Sequence, residues 1–308
     1  DYAERVLRGI EADDSFFAYI ACIDEGDDWM NPDVWIKANP NLGVSVKMDD
    51  LERLAGRAAA MPSQQNDFLV KRMNVWTNQE KRWLDLKTWD KNEGYVSEDE
   101  LAGQECYGGV DLSSTTDLSA FVLVFPKPGG GAKVLPRFYL PEENIEERER
   151  QDLVGYRSWA RQGFLTLTPG ATIDYDFILA DIAAAREKFD VREIGFDPYN
   201  ALGMQQKLMQ DGVPVINVRQ GFISLSPPSK EFERMVINRQ LEHGGHPLLR
   251  WNVNNVSTET DPAGNIKPSK KKSRYRIDGV VATIIAIERM MRSIGDVYVY
   301  AQRGMRSL

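Results

Sequence analysis

Three aspartates stand where the chain passes from one element to another. Asp111 closes the apolar run Tyr107-Gly-Gly-Val110, Asp197 closes Ile194-Gly-Phe196, and Asp278 opens the apolar segment Gly279 to Met291. Carboxylates at separate strand ends and on a late helix, scattered in sequence but able to converge in space, are what a hard divalent metal pair requires. Mg²⁺ takes oxygen ligands and keeps much of its water, so a few carboxylates and a substrate phosphate suffice. Two such ions, about 3.5 to 4 Å apart, activate an attacking water and stabilise the leaving oxygen of an in-line displacement. The chemistry indicated is phosphodiester cleavage, for which neither His nor Cys is needed.

Each aspartate also has a plainer reading. Asp197-Pro198 ahead of a helix is a good N-cap with proline at the first helical position, and Asp278-Gly279 is an N-cap of similar quality. Asp111 opens the polar loop Leu112 to Asp117 and could simply end a strand. Three independent element ends would have to converge by accident, which favours the joint reading.

The elements that must position them follow from periodicity. Before a divide near residues 95 to 104, Phe16 to Cys22 reads as a strand, and Met48 to Ala60 and Gln64 to Trp76 read as helices among turns rich in Trp, Asn and Pro. After it, Cys106–Leu112, Leu118–Phe125 and Ala132–Leu140 form an antiparallel meander, the last two strands joined by the hairpin signal Pro128-Gly-Gly-Gly131. Helices are expected over 142–160, 175–189, 200–210, 230–241 and 278–292, with strands at 193–196 and 214–218. Three antiparallel strands followed by alternating helices and strands give an α/β, ribonuclease H-like mixed sheet flanked by helices, preceded by a smaller, mainly helical region. On the last helix Asp278 lies in register with Val281 and Ile285, so it faces the sheet.

Composition narrows the function. The 308 residues are 42% hydrophobic, enough for a sizeable core and about two domains. No apolar run approaches the roughly 20 residues of a membrane helix, and Asp1-Tyr-Ala-Glu-Arg5 lacks the features of a signal peptide. Cys22 and Cys106 suggest neither a disulfide framework nor a zinc site, so a reducing cytoplasm is expected. A net charge of −8 argues against a general nucleic-acid coat. One basic run remains: Lys267, Lys270, Lys271, Lys272, Arg274 and Arg276, with no acid among them, in a hairpin or loop beside Asp278. It is the expected DNA-binding surface, against the alternative of a solvated lysine-rich loop. The five tryptophans Trp29, Trp35, Trp76, Trp83 and Trp89 read as packing residues, and His243 and His246, without nearby thiols, do not read as a zinc site.

The segments Tyr107-Gly-Gly-Val-Asp-Leu-Ser-Ser-Thr-Thr-Asp-Leu118, Ile194-Gly-Phe-Asp-Pro-Tyr-Asn200 and Arg276-Ile-Asp-Gly-Val-Val-Ala282 resemble the nuclease motifs of large terminase subunits from tailed phages. Asn31-Pro-Asp-Val-Trp35 to Gly43 and Arg72-Met-Asn-Val-Trp76 resemble the segment joining ATPase to nuclease in that family. The resemblance covers most of the chain. It implies a viral DNA-packaging subunit that cuts concatemeric double-stranded DNA with two Mg²⁺ or Mn²⁺ ions held by Asp111, Asp197 and Asp278. Asp117 is a weaker candidate, read as a loop cap. It further implies a small terminase subunit and a portal protein as partners, no membrane, and the host cytoplasm as the place of action.

A P-loop of the form G-x-x-x-x-G-K-[ST] does not occur. Residues 1–95 are therefore expected to be the tail of a motor domain with its helical linker, and residues 96–308 the nuclease domain. Two other readings stay open. One is a different ribonuclease H-like nuclease, such as a resolvase or transposase; the other is a non-catalytic DNA-clamping and docking module.

Overall fold

Apolar residues spaced three and four apart in Met48–Ala60 bury Leu51, Ala55 and Ala58 on one helical face, against Phe68 and Met73. This is the core of the first of two compact units, Asp1–Lys81 and Arg82–Leu308. The computed structural model describes residues 2–7, 13–24, 26–60, 62–75, 83–113, 117–197 and 202–303. In the first unit these form helices α1 (Tyr2–Leu7), α2 (Trp35–Ala38), α3 (Met48–Ala60) and α4 (Pro62–Arg72), with a 3₁₀ turn at Pro32–Val34 capped by Asn31. Trp29 and Trp35 pack on Phe68, with centroids 5.6 and 6.2 Å away. Trp76 lies outside the described residues.

The strand expected over Phe16–Cys22 does not form. A strand needs a partner for its backbone groups. Here only isolated bonds reach this stretch, such as Asn74 Nδ2 donating to the Ala21 carbonyl, and Phe17 and Tyr19 are exposed. The second helix stops at Arg72 and not at Trp76, because Asn74 takes a left-handed conformation with φ 52°.

In the second unit α5 (Leu86–Asp90) is capped by Asp85 and buries Trp89 beside Phe232. Residues 83–95, which sequence reading attaches to the N-terminal region, belong by contact to this unit. Strands β1 (Glu105–Asp111), β2 (Ser119–Pro126) and β3 (Ala132–Pro141) follow as the expected antiparallel meander. Ser119 to Phe125 are buried at every position, the mark of a strand covered on both faces.

Next come α6 (Ile145–Asp152), α7 (Tyr156–Arg161), β4 (Thr166–Thr168), α8 (Tyr175–Lys188), β5 (Asp190–Phe196), α9 (Leu202–Gln210), β6 (Val215–Asn217) and α10 (Phe222–Ile237). After them stand β7 (Leu241–Glu242), α11 (Pro247–Asn255), the hairpin β8 (Thr258–Thr260) and β9 (Ile266–Pro268), and α12 (Asp278–Arg303). The sheet runs β4-β3-β2-β1-β5-β6, with β7 also paired to β3; β5 and β6 add in parallel beside β1.

Several helices differ from the sequence reading; α12, expected to end at Arg292, runs to Arg303. The helix expected over 142–160 is broken into α6 and α7 by Leu153, left-handed at φ 56°. The helix expected from Lys230 begins at Phe222 and runs through Pro227 and Pro228. Their effect as helix breakers is offset because Leu225, Phe232, Met235 and Val236 are buried in the core.

Helix α12 lies against β1 at backbone contact and packs its side chains onto the backbone of β5. A Cβ on Gly109 would meet the Ala282 carbonyl oxygen at 2.0 Å, and one on Gly195 would meet Ile285 Cγ2 at 2.5 Å. Only glycine permits that approach. It brings the first turn of α12 to the end of β1.

Candidate active site at the ends of the central strands

Val110 pairs with Phe196 in the parallel β1–β5 ladder, so Asp111 and Asp197 leave neighbouring strands at the same end of the sheet. Asp278 opens α12. Its plain reading as an N-cap gives way to another arrangement: Asn252 Oδ1, on α11, accepts the Gly279 N–H at 2.7 Å. The Asp278 carboxylate turns instead to Lys270, whose Nζ donates to Oδ1 at 2.8 Å.

The same ammonium lies 2.8 Å from Asp111 Oδ2, as an ion pair. That oxygen is buried and receives no aligned hydrogen bond from the described residues. The Asp111 and Asp278 side chains are 2% and 7% exposed, whereas Lys270 is 49% exposed along its side chain. Its stem faces solvent while its charged end is enclosed.

The electrostatics follow from this geometry. Burial pushes the Asp111 carboxyl up to about 7; Lys270 pulls it down, and the charges of Asp278 and Asp197 push it up again. The influence of Asp197 shows that it belongs to the same group of charges. Burial alone would lower the pKa of Lys270, but the charges of Asp111 and Asp278 outweigh it and hold the ammonium above its ordinary value.

Thus Asp111 and Asp278 meet through a lysine, with Asp197 beside them at the neighbouring strand end. Among the described residues no group of three or more His, Cys, Asp or Glu is arranged to hold a metal ion. The donors nonetheless suit a hard cation. They are all carboxylate oxygens, one is buried without an aligned hydrogen bond, and an ammonium already stands where positive charge is needed.

The basic run divides. Arg276 is bound to acids: its Nη1 lies 2.9 Å from Asp117 Oδ2 and its Nε 3.4 Å from Asp152 Oδ2, which also accepts the Tyr156 hydroxyl at 2.7 Å. Asp117, expected as a loop cap, is thereby a partner of Arg276. Lys267 donates to the Gln220 carbonyl at 3.3 Å and sits over the Phe222 ring, 5.2 Å from its centroid. Lys271, Lys272 and Arg274 are exposed. Sequence reading did not foresee the carboxylate role of Lys270; the available signal was a lysine eight residues ahead of Asp278 on a turn-forming stretch. The histidines are structural. His243 stacks on Trp89 at 4.1 Å, and His246 Nδ1 caps α11 by accepting the Leu249 N–H.

The family profile described as terminase large subunit, endonuclease domain, matches residues 10–293. The chain belongs to that family. Among curated relatives, the large terminase subunit of Enterobacteria phage HK97 is 32% identical over 262 residues, covering 82% of this chain and 50% of its own. Protein YmfN of Escherichia coli K12 is 31% identical over 297 residues, covering 93% of this chain and 65% of its own. The crystal structure of the HK97 large terminase superposes with a TM-score of 0.63 at 29% identity, covering 94% of this chain and 60% of that one. This terminase chain therefore spans about half to two thirds of the length of these relatives. The mixed, helix-flanked sheet is the ribonuclease H-like fold expected of a terminase nuclease. Among the described residues no helix is long and apolar enough to cross a membrane.

Proposed function

We propose that this chain is the endonuclease part of a viral DNA-packaging terminase, hydrolysing phosphodiester bonds of concatemeric double-stranded DNA with two Mg²⁺ or Mn²⁺ ions. One observation carries the reading most directly. Asp111 and Asp278, from elements 167 residues apart in sequence, share one cation at the end of the central strand, beside Asp197. Buried carboxylates lower stability unless they are paired, so a fold that brings them together points to a site.

Bound divalent ions supply the charge that activates the attacking water and steadies the leaving oxygen. The chain's own part would be to hold them, through the carboxylates of Asp111, Asp197 and Asp278. The rigid contact of α12 on β1 fixes the distance between Asp111 and Asp278. Lys271, Lys272 and Arg274 offer exposed positive charge to the phosphates of the duplex.

In this reading the first unit, Asp1–Lys81, is the tail of an ATPase motor and its linker. The assembled protein works in the host cytoplasm with a small terminase subunit and a portal protein. Plasmid cleavage by the 308-residue chain tests the proposal. Cutting is expected with Mn²⁺ or Mg²⁺, abolished by EDTA and unchanged by ATP. Failure to cut or nick duplex DNA under any divalent metal would leave a non-catalytic clamp as the better description.

A further inference from the structure

We infer that Lys270 is a built-in occupant of the cation position between Asp111 and Asp278, and that a divalent ion binds there only by displacing it. This inference rests on the metal-dependent reading above and adds to it a competitor carried by the chain itself.

The first argument is exclusion. The ammonium nitrogen is 2.8 Å from an oxygen of each aspartate. A magnesium ion sharing those oxygens would sit roughly 2.1 Å from each. Both cations cannot occupy that space, and their like charges would repel at such short range.

The second argument is the way Lys270 is mounted. It sits on a turn whose backbone is held, with Lys272 N donating to the Ser269 carbonyl at 3.2 Å and Ser273 N at 3.0 Å. Ser273 Oγ also donates to the Ser269 carbonyl at 2.7 Å. The turn is fixed, but the stem is half exposed, with the side chain at 49%. A half-exposed stem leaves the ammonium a path toward solvent. Asp111 and Asp278, mounted on β1 and α12, have no such freedom.

Charge then sets the direction of exchange. A divalent ion has twice the charge of the lysine and approaches the oxygens more closely, so it displaces the ammonium once its concentration is sufficient. Without metal, the lysine keeps two buried carboxylates from facing each other uncompensated. It also weakens metal binding, because apparent affinity falls with the fraction of molecules in which the site is open.

The test is calorimetric titration of Mn²⁺ into the metal-free full chain at pH 8, for wild type, Lys270→Met, Lys270→Gln and Asp111→Asn, with a melting curve for each. Both lysine variants are expected to bind Mn²⁺ about tenfold more tightly than wild type, the result of removing a competitor that closes nine molecules in ten. They should also melt lower without metal and gain more on adding it. Mn²⁺ affinity that is unchanged or weaker in both folded lysine variants, while Asp111→Asn abolishes binding, overturns the competition and leaves the metal site standing. Absence of Mn²⁺ binding in wild type and in both lysine variants overturns the metal reading and the competition together.

Discussion

Two cations six residues apart on one stretch of chain treat their acids differently. Arg276 joins Asp117 and Asp152, and Asp152 has a second partner in the Tyr156 hydroxyl. Lys270 joins Asp111 and Asp278, and its approach to Asp111 lacks hydrogen-bond alignment. Arginine presents a rigid planar fork that engages two acids at once; lysine presents a point charge on a pliable stem. The first arrangement is suited to permanence and the second to exchange. The arginine ties distant segments of the unit together, whereas the lysine holds the two carboxylates of the candidate site.

The strongest challenge to that distinction is Asp111→Asn. DNA cleavage should fall at least about a thousandfold, beyond the ten- to hundredfold typical of residues that only support a metal ligand. Metal-free stability should hold or rise, since an uncharged amide is easier to bury than a carboxylate. The pH dependence sharpens this. The pKa of Asp111 is raised to about 7 in the folded chain from an ordinary 3.8. Between those values the folded state holds more protons than the unfolded one, so this group's contribution to stability declines as pH rises from about 4 to 7. Melting temperatures across that range should lose this slope in Asp111→Asn. Cleavage near the wild-type rate by a folded Asp111→Asn protein would end the functional reading.

Arg276→Met should give the converse result: stability lower by about 2 kcal/mol, because Asp152 stays buried having lost its ion-pair partner, with the Tyr156 hydroxyl still donating to it. The figure sits below the usual cost of breaking a buried pair because Arg276 is 31% exposed. Urea unfolding reads it, and Mn²⁺ affinity should change little. A variant as stable as wild type would erase the contrast with Lys270.

The smallest effect is expected from Lys271→Ala with Lys272→Ala. Each DNA phosphate that a lysine no longer neutralises should take about 0.9 off the slope of log affinity against log salt, leaving metal binding intact. An unaltered slope would show that this exposed pair does not touch DNA, and would confine the turn's role to Lys270.

The meander was legible from sequence because Phe121 to Phe125 of its central strand are all Val, Phe or Leu and Gly129-Gly-Gly131 favours a turn. The short β4 and β7 were not legible: strands of two or three residues exist through pairing with β3, which no local pattern encodes. Helix α11 also went unread, although Pro247 at its first position and buried Leu248, Leu249 and Val253 carried the signal. At the site, the alignment of Asp111 with Asp197 could be read because both close apolar strands. The positions of Lys270 and Arg276 could not. Which basic residue of a loop folds back onto which acid is decided by tertiary contact, and runs of positive charge look alike until they are placed.

The contact of α12 with the sheet also has a kinetic side. From Ile277 to Ile287 that element is buried without interruption. Its amide protons should therefore exchange with deuterium only when the whole unit unfolds, whereas those of the polar turn at 270–275 should exchange through small local openings. Asp278 thus stands on a slow-opening helix, and Lys270 on a more exposed turn. If the candidate site is the nuclease proposed above, the exposed turn can move without disturbing the scaffold beneath the carboxylates.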